Sequence, residues 1–374
     1  MQHMGGGLGL RFIMLKYTPL SMNYCCIDEV ELKDDTERNL EELEFKGNCL
    51  HQGIPVSPGI VCVSDTMYMF GGVIYSVPQP VLSKQMTLTN CLSYAPLPSD
   101  SSPVTWTRSP TGMSVDRVNP MVAPLHDGRI FICGGTYIRS SWAEVYDPKT
   151  CQFLSLQLPM SVAKIPIPIS CFQYTNELVL IYYDAWFYNQ DEYEGRARMS
   201  CNIEGYEPTL LQYNLVSNYW QVFARELPEP YLDPYKRNLV YVGGDILFMM
   251  DYSYSWLVYN LSSKKVGNVE VELPDAAVIE AFYVGNTHTT HTSWVFYVFL
   301  RHKVNYITGG VRYAKVEVVQ GKDGDYIATV QMNGVLRVPL FSDMYMFGFK
   351  ARSKRDAEEQ LPEKKGKEKM MRIE

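Results

Sequence analysis

The feature that most constrains this chain is the stretch from Asp127 to Leu158, DGRIFICGGTYIRSSWAEVYDPKTCQFLSLQL. Asp127-Gly128 marks a turn and Ile130 to Cys133 an apolar strand. Gly134-Gly135 marks a point where residues without Cβ permit positive φ and close backbone approach. Ala143 to Tyr146 and Phe153 to Leu156 supply two more strands around the turn Asp147-Pro148-Lys149-Thr150. Short β runs joined by Gly, Asp and Pro turns predict a meander and exclude a helix here.

Parts of this pattern recur. Ile60 to Ser64, the turn Asp65-Thr66, and Met67 to Phe70 followed by Gly71-Gly72 repeat strand, turn, strand and glycine pair. Cys91 to Tyr94 is the expected third strand of that unit, and Trp106 the aromatic of its fourth. Tyr146 and Phe153 are seven residues apart, as are Tyr213 and Trp220. A third unit takes Ile165 to Phe172, Glu177 to Tyr183 and Leu210 to Asn214, with Tyr182 near where the glycines would stand. A fourth takes Leu239 to Val242, Gly243-Gly244 and Trp256 to Asn260, with Val266 seven residues after Tyr259. A fifth takes Trp294 to Leu300, the displaced pair Gly309-Gly310, and the step Val319 to Tyr326. The third-strand markers Tyr94, Tyr146, Tyr213, Tyr259 and Val319 are 52, 67, 46 and 60 residues apart. Met113 and Arg117 precede the inner strand of the second unit, expected over Arg117 to Leu125. Met160 and Lys164 stand before the third at the same internal spacing.

The glycine pair, the tyrosine, the aromatic seven residues on and the M-x-x-x-[R/K] spacing resemble the kelch motif, whose units run about 50 residues. The resemblance spans roughly residues 50–330. It implies an all-β, kelch-type β-propeller of about six blades, similar to the galactose oxidase/kelch superfamily. The structural residues it implies are Gly71, Gly72, Gly134, Gly135, Tyr146, Phe153, Tyr213, Trp220, Gly243, Gly244 and Tyr259. Two N-terminal strands, Arg11 to Tyr17 and Asn23 to Leu32, lack a full blade's complement. So do Thr329 to Gln331, Val335 to Val338 and Met344 to Phe349. One blade shared between the two termini would close the ring and remove exposed edges. The expected organisation is a Gly-rich lead at 1–7, the propeller at 8–350 and a disordered, charged tail at 351–374.

Composition agrees with sheet. Aromatics make up 13% of residues, and there are 27 tyrosines. The net charge of −7 argues against general nucleic-acid binding. Nine cysteines at irregular spacing, without a CxxC, fit a reducing compartment, cytoplasmic or nuclear. The apolar patch Leu8 to Leu15 is interrupted by Arg11 and too short to span a membrane. The acidic stretch Asp28 to Glu44 reads as a solvated outer strand and loop. Tail residues such as Lys364, Lys365, Lys367 and Lys369 read as solvated, with a nuclear-import signal as the alternative.

The sequence offers little catalytic chemistry. No GxSxG, P-loop or HExxH occurs. His288 and His291 could share a metal only from a loop, because positions three apart on a strand face opposite ways. Some kelch-like propellers are enzymes. Galactose oxidases use copper, and plant specifier proteins hold iron in E-x-x-x-D-x-x-x-H. No histidine here has Asp four residues before it. No cofactor is expected.

The resemblance implies a recognition face instead. The loop into each inner strand and the loop after the glycine strand open on one end of a propeller. Arg117 and Lys164 are expected there, beside a long insertion, Asp184 to Glu207. That insertion holds Trp186, Tyr188, Tyr193, Arg196 and Arg198, residue types that anchor interfaces. Hydrogen bonding to inner-strand carbonyls is the other role open to Arg117 and Lys164. The expected function is non-enzymatic binding of another protein by a monomer. Many kelch proteins, especially plant ones, are ubiquitin-ligase substrate receptors with an F-box before the propeller. The segment ahead of the first clear unit reads instead as strands and an acidic loop, so a relative without the F-box is expected. The alternative is a metal-dependent enzyme acting on a sugar or small metabolite in the channel.

Overall fold

The computed structural model describes residues 10–18, 21–28, 36–39, 46–48, 55, 57–76, 85–97, 105–158, 162, 165–190, 197–200, 208–225, 227, 238–250, 255–271, 273, 277–285, 293–303, 308–321, 324–339 and 343–350. The first strands are β1 (Leu10–Thr18), β2 (Ser21–Asp28), β3 (Thr36–Asn39) and β4 (Lys46–Asn48). The first repeat unit holds β5 (Gly59–Val63), β6 (Thr66–Phe70), the hairpin β7 (Val73–Ser76) and β8 (Gln85–Leu88), then β9 (Leu92–Pro96) and β10 (Thr107–Arg108). The second is β11 (Met121–Pro124), β12 (Ile130–Cys133), β13 (Ala143–Asp147) and β14 (Gln152–Leu156). The third is β15 (Ile165–Gln173), β16 (Leu178–Gln190), β17 (Ala197–Ser200), β18 (Thr209–Asn214) and β19 (Tyr219–Ala224). The fourth is β20 (Asn238–Tyr241), β21 (Ile246–Met250), β22 (Ser255–Asn260) and β23 (Val266–Glu270). The fifth is β24 (Ala277–Gly285), β25 (Ser293–Lys303), β26 (Thr308–Gln320) and β27 (Tyr326–Pro339), before β28 (Asp343–Lys350).

Each unit is an antiparallel meander in sequence order, for instance β11-β12-β13-β14. The architecture is all-β and of kelch-propeller type. The first and last strands meet as expected, in a sheet of order β28-β1-β2-β4. Sheets four and five join through two parallel pairs, Val269 with Tyr326 and Glu270 with Ile327. In the acidic N-terminal stretch, β3 pairs in parallel with β27.

The core lies in layers between consecutive sheets. A strand alternates its side chains between two faces, and here both faces of the middle strands are covered. Ile130 and Ile132 pack toward the first sheet with Phe70 and Leu92. Their neighbours Phe131 and Cys133 pack the other way, with Val179, Ile181 and Tyr213 of the third sheet. Leu180 and Tyr182 in turn meet Leu247 and Met249 of the fourth. Phe248 and Met250 meet Phe296 and Val298 of the fifth. This is why β12 reads IFIC, a continuous apolar run. The outer strands β14 and β19 are mostly exposed.

The step of seven has a direct cause. Tyr146 lies opposite Phe153, Tyr213 opposite Trp220 and Tyr259 opposite Val266 in the final hairpin of each sheet. The first two pairs hold their rings 4.6 Å apart. The turns between them are alike. The residue after each tyrosine is Asp147, Asn214 or Asn260, and its side-chain oxygen accepts a backbone N–H from inside the turn. Five residues after each tyrosine, Cys151, Asn218 and Lys264 take positive φ.

Four sequence expectations are corrected. Gly243-Gly244 does not follow a second strand. It forms the turn between β20 and β21, where an added Cβ meets nothing within 4 Å. Val319 pairs with Ile327, and Tyr326 lies opposite Gln320, so that step of seven is one residue out of register. Thr329 to Gln331 and Val335 to Val338 are parts of one strand, β27, continuous through Gly334, whose missing Cβ makes room for the Tyr313 ring. The inner strand of the second unit begins at Met121, because Arg117 bridges to Thr89 of the first unit instead.

The other two glycine pairs serve that bridge. A Cβ on Gly71 would lie 2.6 Å from the Arg117 carbonyl oxygen, and one on Gly135 2.7 Å from that of Val118. Both glycines have positive φ. Gly135→Ala is therefore expected to cost roughly 2–4 kcal/mol in urea unfolding, combining backbone strain with a steric clash. Gly128→Ala, at φ 88 with open space around it, should cost only about 1–2 kcal/mol.

Candidate functional site

Arg117 is held between two sheets by its backbone. Its N–H donates to the Thr89 carbonyl at 3.2 Å, its own carbonyl accepts from Gly72 N at 2.7 Å, and Val118 N donates to the Gly135 carbonyl at 2.9 Å. The side chain then turns inward. Nε and Nη2 donate to Glu144 Oε2 at 3.3 and 3.2 Å. Nη1 donates to the carbonyls of Gly134 and Trp142 at 2.5 and 3.0 Å, and Nη2 to that of Ser141. All five guanidinium N–H groups have acceptors. The second Glu144 oxygen accepts from Ser114 N at 2.9 Å and from Ser155 Oγ at 3.3 Å. Arg117 and Glu144 are both 0% exposed.

This corrects the placement of Arg117 at an accessible channel mouth. A buried guanidinium needs its donors satisfied, and here the carbonyls of Gly134, Ser141 and Trp142 do so. Glu144→Ala would leave the cation buried without its counter-ion. We expect a loss on the order of 3–5 kcal/mol in chemical denaturation, and a smaller loss for Glu144→Gln.

The end of the molecule above this latch carries the connections between second and third strands. In the first unit that connection contains the β7–β8 hairpin. In the second it is the Gly134–Trp142 loop, closed by a 3-10 turn at Arg139–Ser141. Arg139 Nη1 donates to the Val162 carbonyl at 2.7 Å, and the Arg139 carbonyl accepts from Leu158 N at 3.0 Å. So fixed, the loop exposes Tyr137 and Ile138 at 39% and 38%. Trp142 is buried, with Nε1 donating to the Pro166 carbonyl at 3.1 Å.

In the third unit the expected insertion is partly strand. β16 pairs β18 only from Leu178 to Tyr183, then runs on to Gln190 and turns back as β17. Phe187, Tyr188, Asn189 and Gln190 lie opposite Ser200, Met199, Arg198 and Ala197. The ribbon is seated on β15, where Pro166 lies opposite Phe187 and Ile165 opposite Tyr188. Trp186 and Tyr188 are therefore on β16 and Arg198 on β17. Lys164, Tyr193, Arg196, His288, His291 and the tail at 351–374 lie outside the described residues. Tyr137 and Ile138 were missed in the sequence. Their signal was an apolar pair in a short loop after the glycine pair.

The opposite end is a chain of interlocked turns. His126 N donates to Gln173 Oε1 at 2.6 Å, and His126 Nδ1 lies 2.8 Å from Asn176 Oδ1. Tyr174 Oη donates to Asp245 Oδ1 at 2.5 Å, and Tyr241 Oη to the Tyr174 carbonyl at 3.2 Å. The hydrogen bond to Asp245, with burial second, pushes the Tyr174 phenol up to about 12. A raised folded-state pKa gives stability that is complete below the unfolded value near 10 and lost as pH rises toward 12. Asp245→Asn should lower the Tyr174 value in a spectrophotometric titration and make the loss of stability above pH ~10 less steep.

Among the described residues, no group of three or more His, Cys, Asp or Glu is placed to hold a metal ion. No described helix is long and apolar enough to cross a membrane.

Residues 118–157 match the kelch motif. No curated protein matches the chain. Among solved structures, the chain is similar to PorZ, an essential bacterial surface component of the type-IX secretion system of Porphyromonas gingivalis, at 12% identity and a TM-score of 0.25. That match covers 84% of this chain and 37% of PorZ. It is also similar to the extracellular domain of a hybrid two-component system from B. thetaiotaomicron, at 8% identity and a TM-score of 0.21, over 90% of this chain and 58% of the other. This chain thus spans less than two thirds of either, and similarities of that size bear no weight here. The kelch motif indicates a protein-interaction module in general. Residues 118–157 thus carry a kelch motif, and antiparallel meanders of the same strand order lie on both sides of it in an all-β fold.

Proposed function

We propose that this protein is a non-enzymatic adaptor that binds another protein through the end formed by its second-to-third-strand connections. Substrate recognition of the kind performed by ubiquitin-ligase kelch receptors is the role it fits. The observation that carries the proposal is the β16–β17 ribbon. A blade strand continues about seven residues past its β18 partner and returns as a hairpin that carries Trp186, Phe187, Tyr188, Tyr193, Arg196 and Arg198 among four carboxylates. Tyr137 and Ile138 of the neighbouring unit, at the same topological position, add exposed apolar surface. Long connections on a rigid sheet scaffold are where binding residues concentrate. Aromatic and arginine side chains supply most interface energy. Trp186, Tyr188 and Arg198, with Tyr193, Arg196 and Lys164, are the proposed contacts. A monomer acting in the cytoplasm or nucleus is part of the same reading.

The test is an affinity capture from native tissue with the intact chain and with a Trp186→Ala, Tyr188→Ser, Arg198→Ala variant of unchanged melting temperature. The proposal expects specific partners to fall at least about tenfold in the variant, the effect of losing a hot spot. An unchanged partner set would remove the ribbon from the interface.

A further inference from the structure

We propose that Ser114 is a phosphorylation site that opens the buried Arg117–Glu144 latch. The M-x-x-x-R spacing pins a short segment at both ends. Met113 is buried, its N–H donates to the Asn90 carbonyl at 2.9 Å, and its own carbonyl accepts from Asn90 Nδ2 at 2.9 Å. Arg117 is buried in the latch. Between these anchors Ser114 and Asp116 are exposed, on backbone outside any strand. Ser114 thus reaches solvent directly beside a carboxylate that does not. Its N–H donates to Glu144 Oε1 at 2.9 Å, and its Oγ accepts from Ser155 Oγ at 3.1 Å. Ser155, also exposed, lies within 3.3 Å of the same Glu144 oxygen. These two hydroxyls are the surface end of a network whose other end, the Arg117–Glu144 pair, is 0% exposed.

A protein kinase supplies the chemistry. Ser114 Oγ attacks the γ-phosphorus of a nucleoside triphosphate, the bond to the nucleoside diphosphate breaks, and the hydroxyl proton is released. The phosphoserine carries about −1.5 to −2 charges at neutral pH. The Arg117 guanidinium does not turn to meet it, because all five of its N–H groups are already engaged. Like charge then stands beside Glu144, and the phosphate oxygens compete with its carboxylate for the Ser155 proton. Relief comes from breaking the bond between Ser114 N and Glu144. As Glu144 follows its lost partners toward solvent, Arg117 loses its counter-ion and its grip on the Gly134, Ser141 and Trp142 carbonyls. The loop that exposes Tyr137 and Ile138 loosens. The consequence for partner binding rests on the function proposed above; the loosening of the loop does not.

The experiment installs phosphoserine at position 114 of the full chain by genetic encoding and follows amide hydrogen exchange by mass spectrometry, without a partner. Amides of 134–142 are expected to exchange at least about tenfold faster than in the unmodified chain, whereas those of β21 and β22 keep their protection. Ser114→Ala, which retains the N–H bond to Glu144, should leave 134–142 protected. In a Glu144→Gln background, where the like charge is gone, the phosphate should accelerate exchange far less. Phosphopeptide mapping of the chain from its native tissue is expected to place phosphate on Ser114. Unchanged exchange at 134–142 in the phosphoserine chain overturns the proposal, as does native chain that carries no phosphate there. Acceleration spread equally over all units, or undiminished in the Glu144→Gln background, overturns it too. The phosphorylated and unmodified wild-type chains decide the matter even if the Gln variant does not fold.

Discussion

The buried Arg117 guanidinium is the interaction on which the rest of this structure depends. An arginine enters a protein interior only when its charge and all five donors are met together. Here the charge is met by Glu144 on β13, and the remaining donors by carbonyls of the loop that follows β12. The backbone on either side of the same residue is hydrogen-bonded to Thr89 and Gly72 in the first sheet and to Gly135 in the second. Two sheets and two glycine pairs therefore converge on one residue. Gly71 and Gly135 lack side chains because the Arg117–Val118 backbone passes where a Cβ would stand.

That arrangement divides the molecule by role. The layers between sheets are apolar, with both faces of the middle strands committed to packing. One end is a series of short turns that lock to one another through His126, Gln173, Tyr174 and Asp245. The other end carries connections of unequal length: a hairpin in the first unit, a short fixed loop in the second and an extended ribbon in the third. Propeller scaffolds host many functions, so fold alone assigns none. The variable connections are the part on which a binding function can rest without disturbing the layers beneath.

Much of the fold was legible because its marks are local. A tyrosine and an aromatic seven residues on can be read from sequence because they face each other across one four-residue turn. The Asp or Asn after the tyrosine was the stronger half of that mark. It went unread, although the Asn260 side chain orders its turn by accepting from Ser263 N. What failed was non-local. Gly243-Gly244 is the same dipeptide as Gly134-Gly135, but nothing in the dipeptide tells a turn from a close packing contact. Arg117 looked available because the carbonyls that engage it lie 17 to 25 residues away. The WFYNQ segment was read as loop because its partner β17 is separated from it by residues with no strand pattern of their own.

The measurement that tests this account most directly is cross-linking of a captured partner to the intact chain, with the linked residues located by mass spectrometry. The account predicts links concentrated at 73–88, 136–142 and 184–200, the connections of three consecutive units at one end. Links concentrated instead at the interlocked turns, 125–129, 174–177 and 242–246, would contradict it and place recognition at the opposite end.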